Sequence, residues 1–298
     1  MSRIHDALKR AEQERATSMG THVEPTFEPQ PEAQPIAMPQ MQQTPRETAM
    51  PGSAPNYETL LARVPQTNWA PDPRTMLFFQ DDETRKGSEE FRTLRSRLYQ
   101  IREKMPLKRL LVTSALPKEG KSFVAANLAQ VLVQQHGRRV LLIDADLRNP
   151  GMHRHLGTTQ TPGLSDYLAG ECDELAALQR GPMENLFFFP AGRTVAGAAE
   201  LLSNGRLKLL LQRIEPLFDW IIVDSSPVIP VSDSTLVAPF CDGIIMVVRS
   251  SVTPADMAKR AREEFPDKLL LGVVLNGAPS EKLAQSKYYY GEAVSSQA

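Results

Sequence analysis

A loop with the chemistry to bind phosphate lies between an apolar run and an Ala-rich segment near the middle of the chain. Residues 115–122 read ALPKEGKS, which is the pattern GxxxxGK[ST] with Ala115 in place of the first glycine. Backbone amides near Gly120 and the positive end of a following helix would face phosphate oxygens. Lys121 would place its charge on the β- and γ-phosphates, and Ser122 could hold Mg²⁺. The alternative is an ordinary strand-to-helix turn. The positions predicted to contact a nucleotide are Ala115, Pro117, Lys118, Glu119, Gly120, Lys121, Ser122 and Phe123.

Carboxylates follow two further apolar runs. Residues 140–143 lead to Asp144 and Asp146, and residues 220–223 lead to Asp224. An apolar strand that delivers an aspartate to the carboxyl edge of a sheet is the Walker B arrangement, in which the carboxylate binds Mg²⁺ directly or through water. One such aspartate is often only a cap or turn residue, but two of them beside a phosphate loop favour a metal site. The division of roles between Asp144 and Asp146 stays open.

Two weaker signals lie outside these runs. Asn276, at the end of the last predicted strand, could present its amide to a purine edge, although an Asn-Gly turn explains it equally well. Glu89, Arg92 and Arg95 follow one another at three-residue steps on a predicted helix. This charged ridge is either a solvated face or an interface with another subunit.

The elements that must position these residues alternate between strands and helices. Such alternation predicts an α/β fold with a mostly parallel sheet, helices on both faces and a ligand site at the carboxyl ends of the strands. Strands are predicted at residues 110–114, 139–144, 185–190, 220–224, 243–249 and 269–276. Helices are predicted at residues 89–101, 122–135, 164–168, 198–217, 234–238 and 254–265.

The chain is predicted to have four parts. Residues 1–16 have the apolar spacing of a short amphipathic helix, which suggests a docking peptide or else an unused N-terminus. Residues 17–83 are rich in Pro and Gln and are predicted to be a disordered linker. Residues 84–277 are the predicted P-loop domain, and residues 278–298 are predicted to be a flexible tail that carries Tyr288, Tyr289 and Tyr290.

The composition of the chain indicates which binding partners and which cellular compartment to expect. The chain has 298 residues and a formal net charge of −1, so bulk attraction to nucleic acid is not expected. Its two cysteines lack metal-ligand spacing and suit a reducing cytoplasm. No apolar run approaches the length that spans a bilayer. We therefore expect a soluble, cytoplasmic chain.

Taken together, these motifs resemble those of the bacterial tyrosine kinases that regulate polysaccharide synthesis and export. Residues 115–122 correspond to the Walker A motif, residues 141–148 to Walker A′ and residues 221–227 to Walker B. The Glu89-xx-Arg92-xx-Arg95 ridge matches the family's oligomerisation motif, and the tyrosine cluster matches its tail. The first twelve residues resemble exosortase-associated tyrosine autokinases.

Two positions distinguish this chain from related sequences. Related partition ATPases carry a lysine where this chain has Leu116, which favours the kinase branch. Walker B reads Ser225-Ser226-Pro227 where the family often has Thr-Pro-Pro, a change expected to be tolerated because Asp224 is retained.

The resemblance implies a P-loop NTPase fold and an ATP- and Mg²⁺-dependent autokinase that modifies its own tail. It assigns catalysis to Lys121, Asp144 and Asp146, and metal binding to Ser122, Asp144 and Asp224. It also implies a ring-like homo-oligomer, a tyrosine phosphatase and a membrane-spanning chain-length regulator that holds the kinase at the inner membrane. The alternatives are a partition-type ATPase switch and a nucleotide-gated scaffold of an envelope complex. The phosphate acceptors would be Tyr288, Tyr289 and Tyr290.

Overall fold

The computed structural model of the protein describes residues 56–64, 66–79, 86–265 and 270–279. The predicted docking helix, the tyrosine cluster and nearly all of the predicted tail lie outside these residues. Among the described helices, none combines the length and the apolar composition needed to cross a bilayer.

Within the described residues, seven strands form a single sheet with the order β3-β4-β2-β5-β1-β6-β7. Neighbouring strands are parallel except for the short β3, which pairs antiparallel with β4. The central strands β2 and β5 are buried along their whole length, which explains why their residues are apolar without alternation. The strands are β1 (Arg109–Ser114), β2 (Val140–Asp144), β3 (Gln179–Arg180), β4 (Leu186–Phe189), β5 (Trp220–Asp224), β6 (Gly243–Arg249) and β7 (Leu270–Asn276).

Helices cover both faces of the sheet, and each face has its own apolar core. Alternate side chains of one strand enter different cores, as Phe187 and Phe188 of β4 show. In the described part of the chain the α-helices are α1 (Tyr57–Arg63), α2 (Ser88–Arg102), α3 (Lys121–Val133), α4 (Met152–Leu156), α5 (Leu164–Leu168), α6 (Glu174–Ala177), α7 (Ala198–Ser203), α8 (Arg206–Ile214), α9 (Asp233–Val237) and α10 (Ala255–Glu263).

The six predicted strands are all present, each with ends within one residue of the prediction. Four details differ. The two-residue strand β3 and the short helices α4 and α6 were not predicted, because so few residues carry no clear periodicity. The helix predicted over residues 198–217 is interrupted at Gly205, whose positive φ of 83° takes the backbone out of the right-handed helical region.

The boundary of the folded domain also differs from the prediction. Residues 57–79 were assigned to a linker that ends at residue 83, but Leu60, Trp69 and Met76 are buried in the cores. We call residues 66–79 the strap. Its backbone donates hydrogen bonds to the side chains of Asn127 and Gln130 on α3, at 2.8 and 3.1 Å. Pro71 and Pro73 continue the proline-rich composition into the strap, but its apolar residues Trp69 and Met76 pack against parts of the chain far away in sequence.

Candidate functional site

The predicted phosphate loop connects the carboxyl end of β1 to the first residue of α3. Lys121 and Ser122 form the first turn of this helix, and the residues that follow, 124–133, are buried against the sheet. Gly120 precedes the helix with a φ of +94°. The backbone angle requires glycine, and a Cβ atom on Gly120 would also lie 2.1 Å from Asn276 Nδ2 and push that amide away from the loop.

Contacts from the ends of two neighbouring strands brace the loop. Glu119 is buried, and its carboxylate accepts hydrogen bonds from the Leu116 amide at 2.7 Å and from the Thr253 hydroxyl. Arg249 donates to the Lys118 carbonyl at 3.1 Å, and Asn276 donates to the Glu119 carbonyl at 2.9 Å. The structure therefore places the Asn276 amide on the loop backbone, and its contact with a purine stays a prediction.

Sequence reasoning missed Arg249 and Thr253 as part of this site. Arg249 ends β6, and Thr253 lies in the turn that follows it. The available signal was their position at the carboxyl end of a predicted strand, where ligands bind in parallel sheets.

The predicted carboxylates converge beside the loop. Asp144 of β2 and Asp224 of β5 occupy paired positions on adjacent strands, and both are 1% exposed. Asp144 accepts the amides of Asp146 and Met152, each at 3.2 Å. Asp146 Oδ2 lies 2.8 Å from Lys121 Nζ, so the loop lysine and the Walker A′ aspartate form an ion pair.

The protonation of these groups follows from their burial and their mutual charge. Burial and the charges of Asp224 and Asp146 raise the pKa of Asp144 to about 8. Burial also raises the pKa of Asp224 to about 6, although the positive charge of Lys121 opposes this shift. Burial alone would lower the pKa of Lys121, but the charges of Asp224, Asp146 and Asp144 outweigh it and raise that pKa. Lys121 is therefore a positively charged ammonium group, while burial favours the neutral forms of Asp144 and Asp224 beside it.

These residues fit a divalent cation. Asp224 Oδ1 is buried and has no hydrogen-bond partner, and the Asp224 carboxylate also accepts a hydrogen bond from Ser122. No group of three or more His, Cys, Asp or Glu side chains that could hold a metal ion occurs in the described ranges. Mg²⁺ commonly binds through one or two carboxylates, phosphate oxygens and water. Asp144, Asp224 and Ser122 are therefore suited to a metal that arrives with a nucleotide.

Further polar side chains lie beside Asp146. The Ser226 hydroxyl donates to Asp146 Oδ1 at 2.8 Å. Asp233 of α9 is fully buried and accepts two hydrogen bonds from Arg148, at 2.7 and 3.0 Å. Ser226 was noted in the sequence as a departure from the usual motif, but its contact with Asp146 was not predicted.

The charged ridge on α2 makes contacts within its own subunit. Arg92 lies 3.5 Å from Glu89, and Arg95 donates to the Val131 carbonyl of α3 at 3.0 Å. The Glu89 side chain is 66% exposed. Pairing of this ridge with a second subunit stays a prediction.

Comparison with known proteins identifies relatives of the chain. The model of the AAA domain family matches residues 119–253. The tyrosine-protein kinase YwqD of Bacillus subtilis is 35% identical over 205 residues, which are 68% of this chain and 86% of YwqD. The succinoglycan biosynthesis transport protein ExoP of Rhizobium meliloti is 34% identical over 61% of this chain, which corresponds to 24% of ExoP.

A solved structure resembles the observed fold. The kinase domain of the Escherichia coli tyrosine kinase ETK superposes with a TM-score of 0.62 and is 30% identical. The match covers 66% of this chain and 78% of the ETK chain. The predicted fold class, a P-loop NTPase domain with a mostly parallel sheet, is confirmed.

Proposed function

Because the chain belongs to the bacterial tyrosine-protein kinase family, we propose that its phosphate-loop site transfers the γ-phosphoryl group of ATP to tyrosines of its own C-terminal tail. One observation carries the proposal: Lys121 pairs with Asp146 beside the adjacent carboxylates Asp144 and Asp224. That arrangement combines a phosphate-binding cation with groups suited to a metal and to an acceptor hydroxyl. The kinase names of the relatives favour this function over a partition-type ATPase or a non-catalytic scaffold.

Binding and charge neutralisation account for most of the proposed catalysis. The loop amides and Lys121 would hold the β- and γ-phosphates, since phosphoryl transfer proceeds through a loose transition state that depends on positioning and charge. Mg²⁺, held by Ser122, Asp144 and Asp224, would neutralise negative charge on the phosphate oxygens. The hydrogen bond within the loop and the one from Asn276 would hold the loop backbone in place before ATP arrives.

The acceptor hydroxyl also needs a proton acceptor. Tyrosine has an unperturbed pKa of about 10, so only about one side chain in 10³ is ionised at pH 7. A carboxylate beside the hydroxyl can accept its proton as the bond to phosphorus forms. We assign this role and the metal contact jointly to Asp144 and Asp146, with Asp224 as the second metal ligand.

The proposed acceptors are Tyr288, Tyr289 and Tyr290. They follow a polar segment after residue 278, which would let the cluster reach a neighbouring subunit more easily than its own site. Each phosphate adds about −1.5 to −2 charges, so a modified tail would be repelled by a site lined with aspartates. Transfer would thus take place between subunits and would loosen their assembly.

Mixing two chains tests this proposal. A Lys121→Met chain with an intact tail is incubated with Mg·ATP and an active chain that lacks residues 288–298. We expect phosphotyrosine on the Lys121→Met chain, and none when either chain is incubated alone. A matched Lys121→Met chain with Tyr288, Tyr289 and Tyr290 replaced by Phe should stay unlabelled. If the Lys121→Met chain becomes labelled when it is incubated alone, Lys121 is not required for catalysis. An unlabelled mixture would exclude transfer between subunits.

The wider assembly is also part of the proposal. We propose a ring-like homo-oligomer, a membrane-spanning chain-length regulator that binds residues 1–16 and keeps the kinase at the inner membrane, and a tyrosine phosphatase. The name of the relative ExoP, a succinoglycan biosynthesis transport protein, supports a role in exopolysaccharide synthesis or export. Deletion of residues 1–15 should leave autophosphorylation nearly unchanged and release the chain from a membrane fraction. A deleted chain that still sediments with membranes would contradict this docking role.

A further inference from the structure

The hydroxyl of Ser226 makes a contact that the usual form of this motif cannot make. Ser226 is 1% exposed, and its Oγ donates to Asp146 Oδ1 at 2.8 Å. A proline at this position, as in the Thr-Pro-Pro pattern, has no side-chain donor. The substitution that was expected to be merely tolerated therefore adds a hydrogen bond to a carboxylate of the site.

The geometry directs the Ser226 hydroxyl to Asp146. The other acceptor in reach, Asp233 Oδ2, is farther away at 3.4 Å. Asp233 already accepts two hydrogen bonds from Arg148, so its charge is balanced without Ser226. The Ser226 carbonyl also accepts a hydrogen bond from the Thr113 hydroxyl at 3.0 Å, which holds the residue in place.

The same carboxylate holds the loop lysine. Asp146 Oδ2 lies 2.8 Å from Lys121 Nζ, while Oδ1 accepts the Ser226 hydroxyl and the Asn149 amide, the latter at 3.1 Å. When Lys121 moves to a phosphate, Asp146 loses its ion pair but remains buried. A buried carboxylate with few donors is unfavourable. Without the Ser226 hydroxyl, only the Asn149 amide would remain of these three contacts.

We propose that Ser226 is a positioning residue that allows Asp146 to release Lys121 to the phosphates of ATP. The inference rests on the proposed function only in taking ATP as the ligand of the loop. Ser226 acts through Asp146, because its hydroxyl stabilises the carboxylate after the ion pair with Lys121 has opened.

Calorimetric titration of the full chain with Mg²⁺ and the non-hydrolysable analogue AMP-PNP tests the proposal. Ser226→Ala should weaken binding about tenfold, which corresponds to about 1.4 kcal/mol. Ser225→Ala is the matched control, because Ser225 is equally buried but its hydroxyl contacts the Val112 carbonyl and Ser234. We expect Ser225→Ala to bind the analogue within about twofold of the wild-type chain.

A double-mutant cycle separates positioning from a general structural role. An Asp146→Asn chain lacks the ion pair with Lys121 that Ser226 is proposed to help open, so adding Ser226→Ala should change binding by less than about twofold. Ser226→Thr keeps the hydroxyl and should bind the analogue close to the wild-type level. Equal losses from Ser226→Ala in both backgrounds, or a Ser226→Thr chain as weak as Ser226→Ala, would show that the residue does not act through Asp146.

The outcome is independent of kinase activity. A wild-type chain that binds AMP-PNP without ever forming phosphotyrosine would reject the kinase proposal, and the Ser226 comparison would still decide this inference. A Ser226→Ala chain that binds like wild type would overturn it. If the wild-type chain does not bind the analogue, both proposals fail.

Discussion

Replacement of Met76 by alanine tests whether the strap belongs to the folded domain. Met76 is 0% exposed and lies in the core beneath α2 and α3, where its sulfur is 3.1 Å from Gln130 Nε2. Truncation of a buried Met to Ala lowers the free energy of unfolding by about 2–5 kcal/mol, because it removes apolar contacts and leaves a cavity. A loss of 1 kcal/mol shifts the melting temperature by about 2–4 °C in a domain of 150–250 residues. A loss of about 3 kcal/mol should therefore lower it by about 6–12 °C.

Thermal unfolding of the full chain, followed by circular dichroism, measures this change. Arg74→Ala is the matched control, because Arg74 lies on the same strap but is exposed. We expect the control to melt within about 1–2 °C of the wild type, since exposed substitutions usually change stability by less than about 0.5 kcal/mol. If Met76→Ala also melts with the wild type, the strap does not contribute to the core and the original linker boundary near residue 83 is right.

Three further predictions follow from the contacts described above. Gly120→Ala should abolish AMP-PNP binding in calorimetry, because the φ of +94° is strained for alanine and the new Cβ would displace the Asn276 amide from the loop; retained affinity would contradict the loop geometry. Burial tends to raise the pKa of Asp242, but hydrogen bonds from Arg109 and two backbone amides lower it overall. Because the folded pKa is lowered, this stabilisation is present above the unfolded value of about 3.9 and is lost as pH falls through the folded pKa. In urea unfolding, Asp242→Asn should lower the free energy of unfolding by about 1–2 kcal/mol at pH 7, and this difference from the wild type should shrink below about pH 3.9. A difference that does not change with pH would contradict this assignment. Reversal of Arg92 and Arg95 to Glu should give monomers by light scattering, whereas an unchanged oligomer would exclude the ridge as an interface.

Local sequence was sufficient for the features that depend on neighbouring residues. The phosphate loop is contiguous, so its residue types and its position between an apolar run and an Ala-rich helix were readable directly. The aspartates that end β2 and β5 were found for the same reason, because a fully buried strand is a continuous apolar run. The parallel α/β class follows from the alternation of such runs with helical segments.

Only the tertiary structure decided which of these pieces meet. Strand order places β2 beside β5, and this brings Asp144 next to Asp224. The hydrogen bond from Asn276 to the Glu119 carbonyl joins residues 157 positions apart, and that from Ser226 to Asp146 joins residues 80 positions apart. The strap likewise gains its order from distant partners on α3. No local pattern encodes such pairs, because they depend on strand order, on register and on the shape of two separate cores.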